Sequence, residues 1–150
     1  MEVVRIYKAG TSKKRERKHS IYVYIYSHFH MPFPGSNDNG AAIDTFETQL
    51  RDLIKANKYF QFSASWCPDC KYANSIWNRY NVLSKIKVFD IATYSQADQE
   101  SLRSAFKNIT GTRNLPTLVV NGEVWGTEKE LHAHEDAGTL ESALRTIGLL

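Results

Sequence analysis

Along the chain, segments whose apolar residues recur every three or four positions alternate with short segments that are apolar throughout. Phe46, Leu50, Leu53 and Ile54 share one helical face, and Asp44-Thr45-Phe46-Glu47 has capping-box spacing, so a helix is predicted from about residue 44. Lys58-Tyr59-Phe60-Gln61-Phe62-Ser63 reads as a strand. Pro68 suits the first turn of a second helix, which runs to about Tyr80 with Tyr72, Ile76 and Tyr80 at spacings of four. Ile86 to Ile91 is a second strand, and Ser95-Gln96-Ala97-Asp98 caps a third helix bearing Leu102, Phe106 and Ile109. Leu118-Val119-Val120 and Glu123-Val124-Trp125 flank Asn121-Gly122, a dipeptide suited to a two-residue type I′ turn. Trp125 is expected as a core residue of that hairpin. Thr127-Glu128-Lys129-Glu130 repeats the capping-box spacing ahead of helical segments with Leu131, Leu140, Leu144 and Ile147. The order is helix, βαβ, helix, hairpin, helix, an α/β arrangement whose first two strands should run parallel.

The chain divides near residue 40. Residues 1–40 carry seven Lys/Arg against three acids, whereas residues 41–150 carry twelve against thirteen. The basic balance therefore belongs to the leader, and the remainder has no general affinity for polyanions, so no nucleic-acid partner is expected. Within the leader lie the Lys13–Lys18 run, the β-prone Ile21–Tyr26 stretch and a turn-rich linker over Pro32–Gly40. A basic, disordered extension (1–40) ahead of one globular domain (41–150) is the reading that results. Ile21–Tyr26 is far shorter than the ~20 residues of a membrane helix, and the first twenty residues lack a secretory apolar segment. A reducing cytoplasmic location is expected, with Lys13–Lys18 as an alternative nuclear-import signal.

Both cysteines of the chain lie in one motif, Trp66-Cys67-Pro68-Asp69-Cys70. A loop that short constrains little chain entropy, so the pair suits chemistry or metal better than architecture. At a strand-to-helix junction Cys67 falls at or near the N-cap, where free amides and the helix dipole stabilise a thiolate. Cys70, nearly a turn deeper on the same face, is within disulfide reach. Cys67 should attack a substrate disulfide and Cys70 resolve the mixed disulfide. The Asp69 carboxylate beside both sulfurs opposes thiolate formation. Two other readings stand beside this one: inert buried thiols, and a zinc site completed by His132 and His134, although a helical i,i+2 pair diverges. No metal is expected.

The residues from about 42 to 150 resemble the glutaredoxin branch of the thioredoxin superfamily, closest to divergent fungal dithiol members. The resemblance rests on Phe62-Ser63-Ala64-Ser65-Trp66-Cys67-Pro68-Asp69-Cys70, Asn114-Leu115-Pro116-Thr117, Val119-Val120-Asn121-Gly122 and Trp125-Gly126-Thr127. It implies a thioredoxin-like fold: a central four-stranded mixed sheet, βαβαββα, here with an extra N-terminal helix. It also implies a cis Pro116 facing the cysteines, with Leu115 and Thr117 beside it offering groups to bound peptide or glutathione. Trp66, Pro68, Asp69, Gly126, Thr127 and Glu130 complete the implied substrate and glutathione site. Trp66 either shields the sulfur and meets substrate or merely packs, and Thr127 and Glu130 are equally explained as a capping box. The chain departs from the family in having Ala64 where a glutathione-binding Lys is usual, Gly-Thr for Gly-Gly at 126–127, and Glu130 for Asp.

The function expected from all this is glutathione-dependent thiol–disulfide oxidoreduction, with glutathione as co-substrate and disulfide-bearing proteins as partners, by a monomer away from membranes. Glutathione-site activity should be low. The alternatives are thioredoxin-like reduction driven by a flavoprotein reductase, an iron–sulfur-cluster module holding glutathione, and a redox-inactive peptide-binding domain.

Overall fold

Helix α1 (Asp38–Ala56) opens the part of the chain that the computed structural model describes, residues 38–150. The basic run, the Ile21–Tyr26 stretch and the linker up to Asn37 lie outside the described residues. The helix starts six residues ahead of the predicted cap, so the last residues of the expected linker form its first turn. The Asp44–Glu47 capping box is accordingly not formed as a helix start. Thr45 and Thr48 instead return their hydroxyls to the carbonyls of Ala41 (2.9 Å) and Asp44 (3.1 Å), as interior helix residues do. Ile43, one turn ahead of Phe46, packs against the core and gives the additional turns an apolar anchor.

Beyond α1 the order is β1 (Tyr59–Ser63), α2 (Pro68–Arg79), β2 (Lys87–Asp90), α3 (Gln96–Thr110), β3 (Thr117–Val120), β4 (Glu123–Thr127), α4 (Glu128–Asp136) and α5 (Leu140–Thr146). The sheet order is β2-β1-β3-β4. β1 runs parallel to β2 and antiparallel to β3, and β3 pairs antiparallel with β4. This is the mixed four-stranded sheet that the family resemblance implies, with the extra helix in front. Asn121 (φ 51°) and Gly122 (φ 86°) both take the left-handed conformation that the tight β3–β4 turn demands. Trp125 departs from expectation: Leu118 pairs with Gly126 and Val119 with Val124, which leaves Trp125 as the extra residue of a bulge, half-buried rather than fully in the core.

β1 is buried along its whole length because helices cover both faces of the sheet. Phe60 and Phe62 join Phe89, Leu50, Leu102 and Phe106 on the α1/α3 side, where the Phe62 and Phe106 rings stack at 4.1 Å. Tyr59, Leu118 and Val120 face Ile76, Trp77, Leu131, Leu140 and Leu144 on the α2/α4/α5 side. Gln61 shares the second face with Tyr59 and is fully buried, a polar residue in the centre of the sheet.

Candidate active site

Strand pairing brings distant segments to one edge of the sheet. Ser63, last in β1, pairs with Asp90, last in β2, and Phe62 pairs with Thr117, first in β3. Thr117 in turn pairs with Thr127, last in β4. The loop after β1, the segment before β3 and the end of β4 thus converge where α2 begins.

Cys67 is the N-cap of α2, in extended backbone, and Pro68 occupies the first turn, where a missing amide hydrogen costs nothing. Its carbonyl accepts the Lys71 amide (3.2 Å), and its side chain makes no cap bond. The sulfur lies 3.6 Å from the Leu115 carbonyl oxygen, and the Leu115–Pro116 bond is cis. Leu115, Pro116 and Thr117 are buried there, with the Thr117 hydroxyl donating to the Asn114 carbonyl (2.8 Å). Trp66 is 54% exposed, its indole N–H donating to Gln99 Oε1 (3.1 Å) while its ring stands open beside the cysteine. Pro68 and Asp69 are exposed on the same rim.

Cys70 lies almost fully buried beneath Cys67, and both thiols are free. Its sulfur accepts the Ala64 amide (3.4 Å). Burial pushes the Cys70 thiol up from its ordinary 9.0 to about 11, opposed in part by the Ala64 amide bonded to its sulfur. The unfolded chain therefore releases this proton near pH 9, while the folded chain keeps it to about pH 11. The neutral thiol's stabilising contribution is whole below pH 9 and is lost as pH rises toward 11, by on the order of 2–3 kcal/mol. Denaturant titrations of the reduced protein at about pH 8 and about pH 10.5 should show that fall, and Cys70→Ser should flatten it.

Gly126, Thr127 and Glu130 form the other wall, at the junction of β4 and α4. Thr127 caps α4, and Glu130 Oε2 accepts from the Thr127 amide (2.6 Å) and hydroxyl (2.8 Å), completing the capping box. Those bonds, the backbone one foremost, hold the Glu130 carboxyl below the usual range. A Cβ on Gly126 would sit 2.6 Å from Glu130 Cβ, so glycine is required for this close approach.

Several residues that shape the site escape a reading of the motif. Asp90 Oδ1 accepts from the amides of Ser65 and Ala92 (both 2.9 Å), tying the loop ahead of Cys67 to the end of β2. Tyr72 on α2 donates to Glu135 on α4 (2.7 Å), and Arg79 pairs with the same carboxylate. This clamps the cysteine-bearing helix to the capping-box helix. His132 stacks on Tyr72 (4.3 Å), whereas His134 lies against Trp125 (5.7 Å) and bonds Thr139, so the two rings are engaged in different places. Among the described residues no group of three or more His, Cys, Asp or Glu side chains could hold a metal ion.

Comparison with known proteins bears on what this geometry is for. The glutaredoxin family model matches residues 58–125. Glutaredoxin-8 of Saccharomyces cerevisiae is 56% identical over 108 residues, spanning 72% of this chain and 99% of that protein. The chain belongs to the glutaredoxin family. The solution structure of the yeast dithiol glutaredoxin Grx8 superposes with a TM-score of 0.66 at 56% identity, over 71% of this chain and 98% of that one. The crystal structure of oxidized glutaredoxin 2 from Chlamydomonas reinhardtii gives 0.59 at 27% identity, over 72% and 98%. This glutaredoxin has the thioredoxin-like fold expected of it and is a thiol–disulfide oxidoreductase.

Proposed function

We propose that this glutaredoxin is a glutathione-dependent dithiol enzyme that reduces protein disulfides and glutathione mixed disulfides, with Cys67 as nucleophile and Cys70 as resolving thiol. The observation that carries the reading is the placement of Cys67 alone at the N-cap of α2, beside an open Trp66 ring and the Leu115 carbonyl. A disulfide approaching over Trp66 would meet the Cys67 sulfur first: both cysteines are buried, but Cys67 keeps 7% of its surface exposed and Cys70 1%. Pro68, Asp69, Leu115, Pro116 and Thr117 would line the substrate's path, and Gly126 and Thr127 would face a glutathione backbone.

Glutathione should be held weakly. Ala64 is buried and brings no cation, and one oxygen of Glu130 is already bonded twice by Thr127. Those observations favour a second reading, in which a flavoprotein reductase supplies the electrons as it does for thioredoxin-like proteins. The reading carries with it a monomer working in a reducing, cytoplasmic compartment. A coupled assay with glutathione and glutathione reductase, run against one with thioredoxin reductase, decides the donor. Turnover of a disulfide substrate should depend on glutathione; turnover with thioredoxin reductase alone would overturn that part of the proposal.

A further inference from the structure

Among the described residues, Trp66 and Val124 are the large apolar side chains left exposed, and Trp66 stands directly before the cysteine. Its indole is nevertheless not free to turn. The ring N–H donates to Gln99 Oε1 (3.1 Å), and Gln99 Nε2 donates to the Tyr94 carbonyl (2.9 Å). An indole N–H only donates and a carbonyl only accepts, so one orientation of the Gln99 amide satisfies both partners and the flipped one satisfies neither. Gln99 is itself held at the start of α3, where its backbone amide bonds the Ser95 carbonyl (2.8 Å). Tyr94 is held as well, its ring 5.8 Å from Phe89 and edge-on to Phe46 at 6.0 Å.

This fastening commits Trp66 to one side of the site. The Asp90 bond to the Ser65 amide draws the loop toward β2, and the indole reaches α3, which packs with α1 on one face of the sheet. Gly126, Thr127 and Glu130, the wall assigned to glutathione above, belong to β4 and α4. β4 lies at the far edge of the sheet from β2, and Leu131 packs α4 on the opposite face. The aromatic platform and the glutathione wall therefore belong to different sides of the Cys67 loop.

We propose that Gln99 is a positioning residue for polypeptide substrates: it holds the Trp66 ring as a fixed platform on which the residues flanking a substrate cysteine are laid. The inference rests on the dithiol reading above and adds what separates protein disulfides from small ones. Glutathione disulfide is short and is served by the Thr127 wall. A polypeptide continues past its cysteine and covers the platform as well. An indole released from Gln99 regains rotation about its two side-chain torsions, and each encounter must then order it again, which weakens binding. A large, rigid aromatic surface avoids that loss.

The experiment uses full-length, pre-reduced protein, so that no electron donor is needed, with Gln99→Met, Trp66→Phe and the double variant. Trp66→Phe keeps a ring without the N–H and identifies the Trp66 indole resonance by its disappearance. Gln99→Met should move that resonance upfield and lower its heteronuclear NOE. Second-order rate constants are then measured with an intramolecular protein disulfide and with glutathione disulfide. Their ratio, protein over glutathione, should fall about threefold to tenfold in Gln99→Met, the effect of one hydrogen bond. In the Trp66→Phe background Gln99→Met should lower the ratio no further, because the bond it removes is already gone. An unmoved indole resonance, an unchanged ratio, or a loss that persists in full in the Trp66→Phe background would overturn the proposal. The resonance needs no substrate; if the unsubstituted protein reduced neither disulfide, that failure would count against the dithiol reading instead.

Discussion

Cys67→Ser should abolish disulfide reduction by this glutaredoxin, lowering turnover by on the order of a thousandfold or more with every disulfide substrate. The loss is expected to be general because both half-reactions pass through that sulfur. Serine keeps the N-cap position and the extended backbone, and the native side chain makes no cap bond that its removal would forfeit. The melting temperature should therefore hardly change while activity disappears. Cys70→Ser should behave differently. Its sulfur is buried and enters after a mixed disulfide has formed, so glutathione can take its place when the substrate is itself a glutathione adduct. Reduction of glutathione mixed disulfides should survive, whereas reduction of an intramolecular protein disulfide should fall sharply and leave a trapped adduct on Cys67. Steady-state assays of the two variants with the two substrate types check this, and equal loss in both variants on both substrates would contradict the division of labour.

Gly126→Ala should destabilise the fold by about 1–3 kcal/mol, the usual cost of forcing a methyl into a packed site. For a described unit of this size that is a fall of roughly 5–15 °C in melting temperature. The new Cβ would lie 2.6 Å from Glu130 Cβ and 2.9 Å from its Cγ. The nearest obstacle is thus the root of a helical side chain and not its adjustable tip. Gly126 is also fixed by its pairing with Leu118, so β4 has little room to retreat. Two further variants separate steric from electrostatic causes. Glu130→Ala alone loses part of the capping box, at about 0.5–2 kcal/mol. Adding it to Gly126→Ala should give no rescue, because alanine retains the offending Cβ. Glu130→Gly in the same background removes that atom, and at a site governed by contact it should recover part of the steric loss. Thermal melts of these variants measure all of this.

What was legible in the sequence followed how local the determining physics is. The β3–β4 turn depends on Asn121 and Gly122 themselves, and the N-terminus of α2 on Cys67 and Pro68, so both could be read directly. The Ser95 cap of α3 and the Thr127–Glu130 box were legible for the same reason: each bond spans three residues or fewer. Asp44 misled because capping spacing is a weak signal beside tertiary packing, and Ile43 against the core carried α1 past it. Trp125 looked like an ordinary strand residue since a bulge is set by the register of two strands together. Asp90 gave no local sign of its grip on the Ser65 amide, 25 residues away. Gln61 and Ser63 did leave a trace, two polar residues at period two within an apolar strand. Gln61 finds its partners when α2 brings Trp77 and Asn74 over it.

Everything functional here depends on an outer sulfur that meets the substrate and an inner one that displaces it. The most direct measurement is peptide mapping by mass spectrometry after brief treatment of the reduced, unsubstituted protein and of Cys70→Ser with glutathione disulfide near pH 7. The predicted result is a Cys67–Cys70 bond in the first and glutathione on Cys67 in the second. Glutathione found on Cys70, or both thiols of the unsubstituted protein left unmodified, would contradict it.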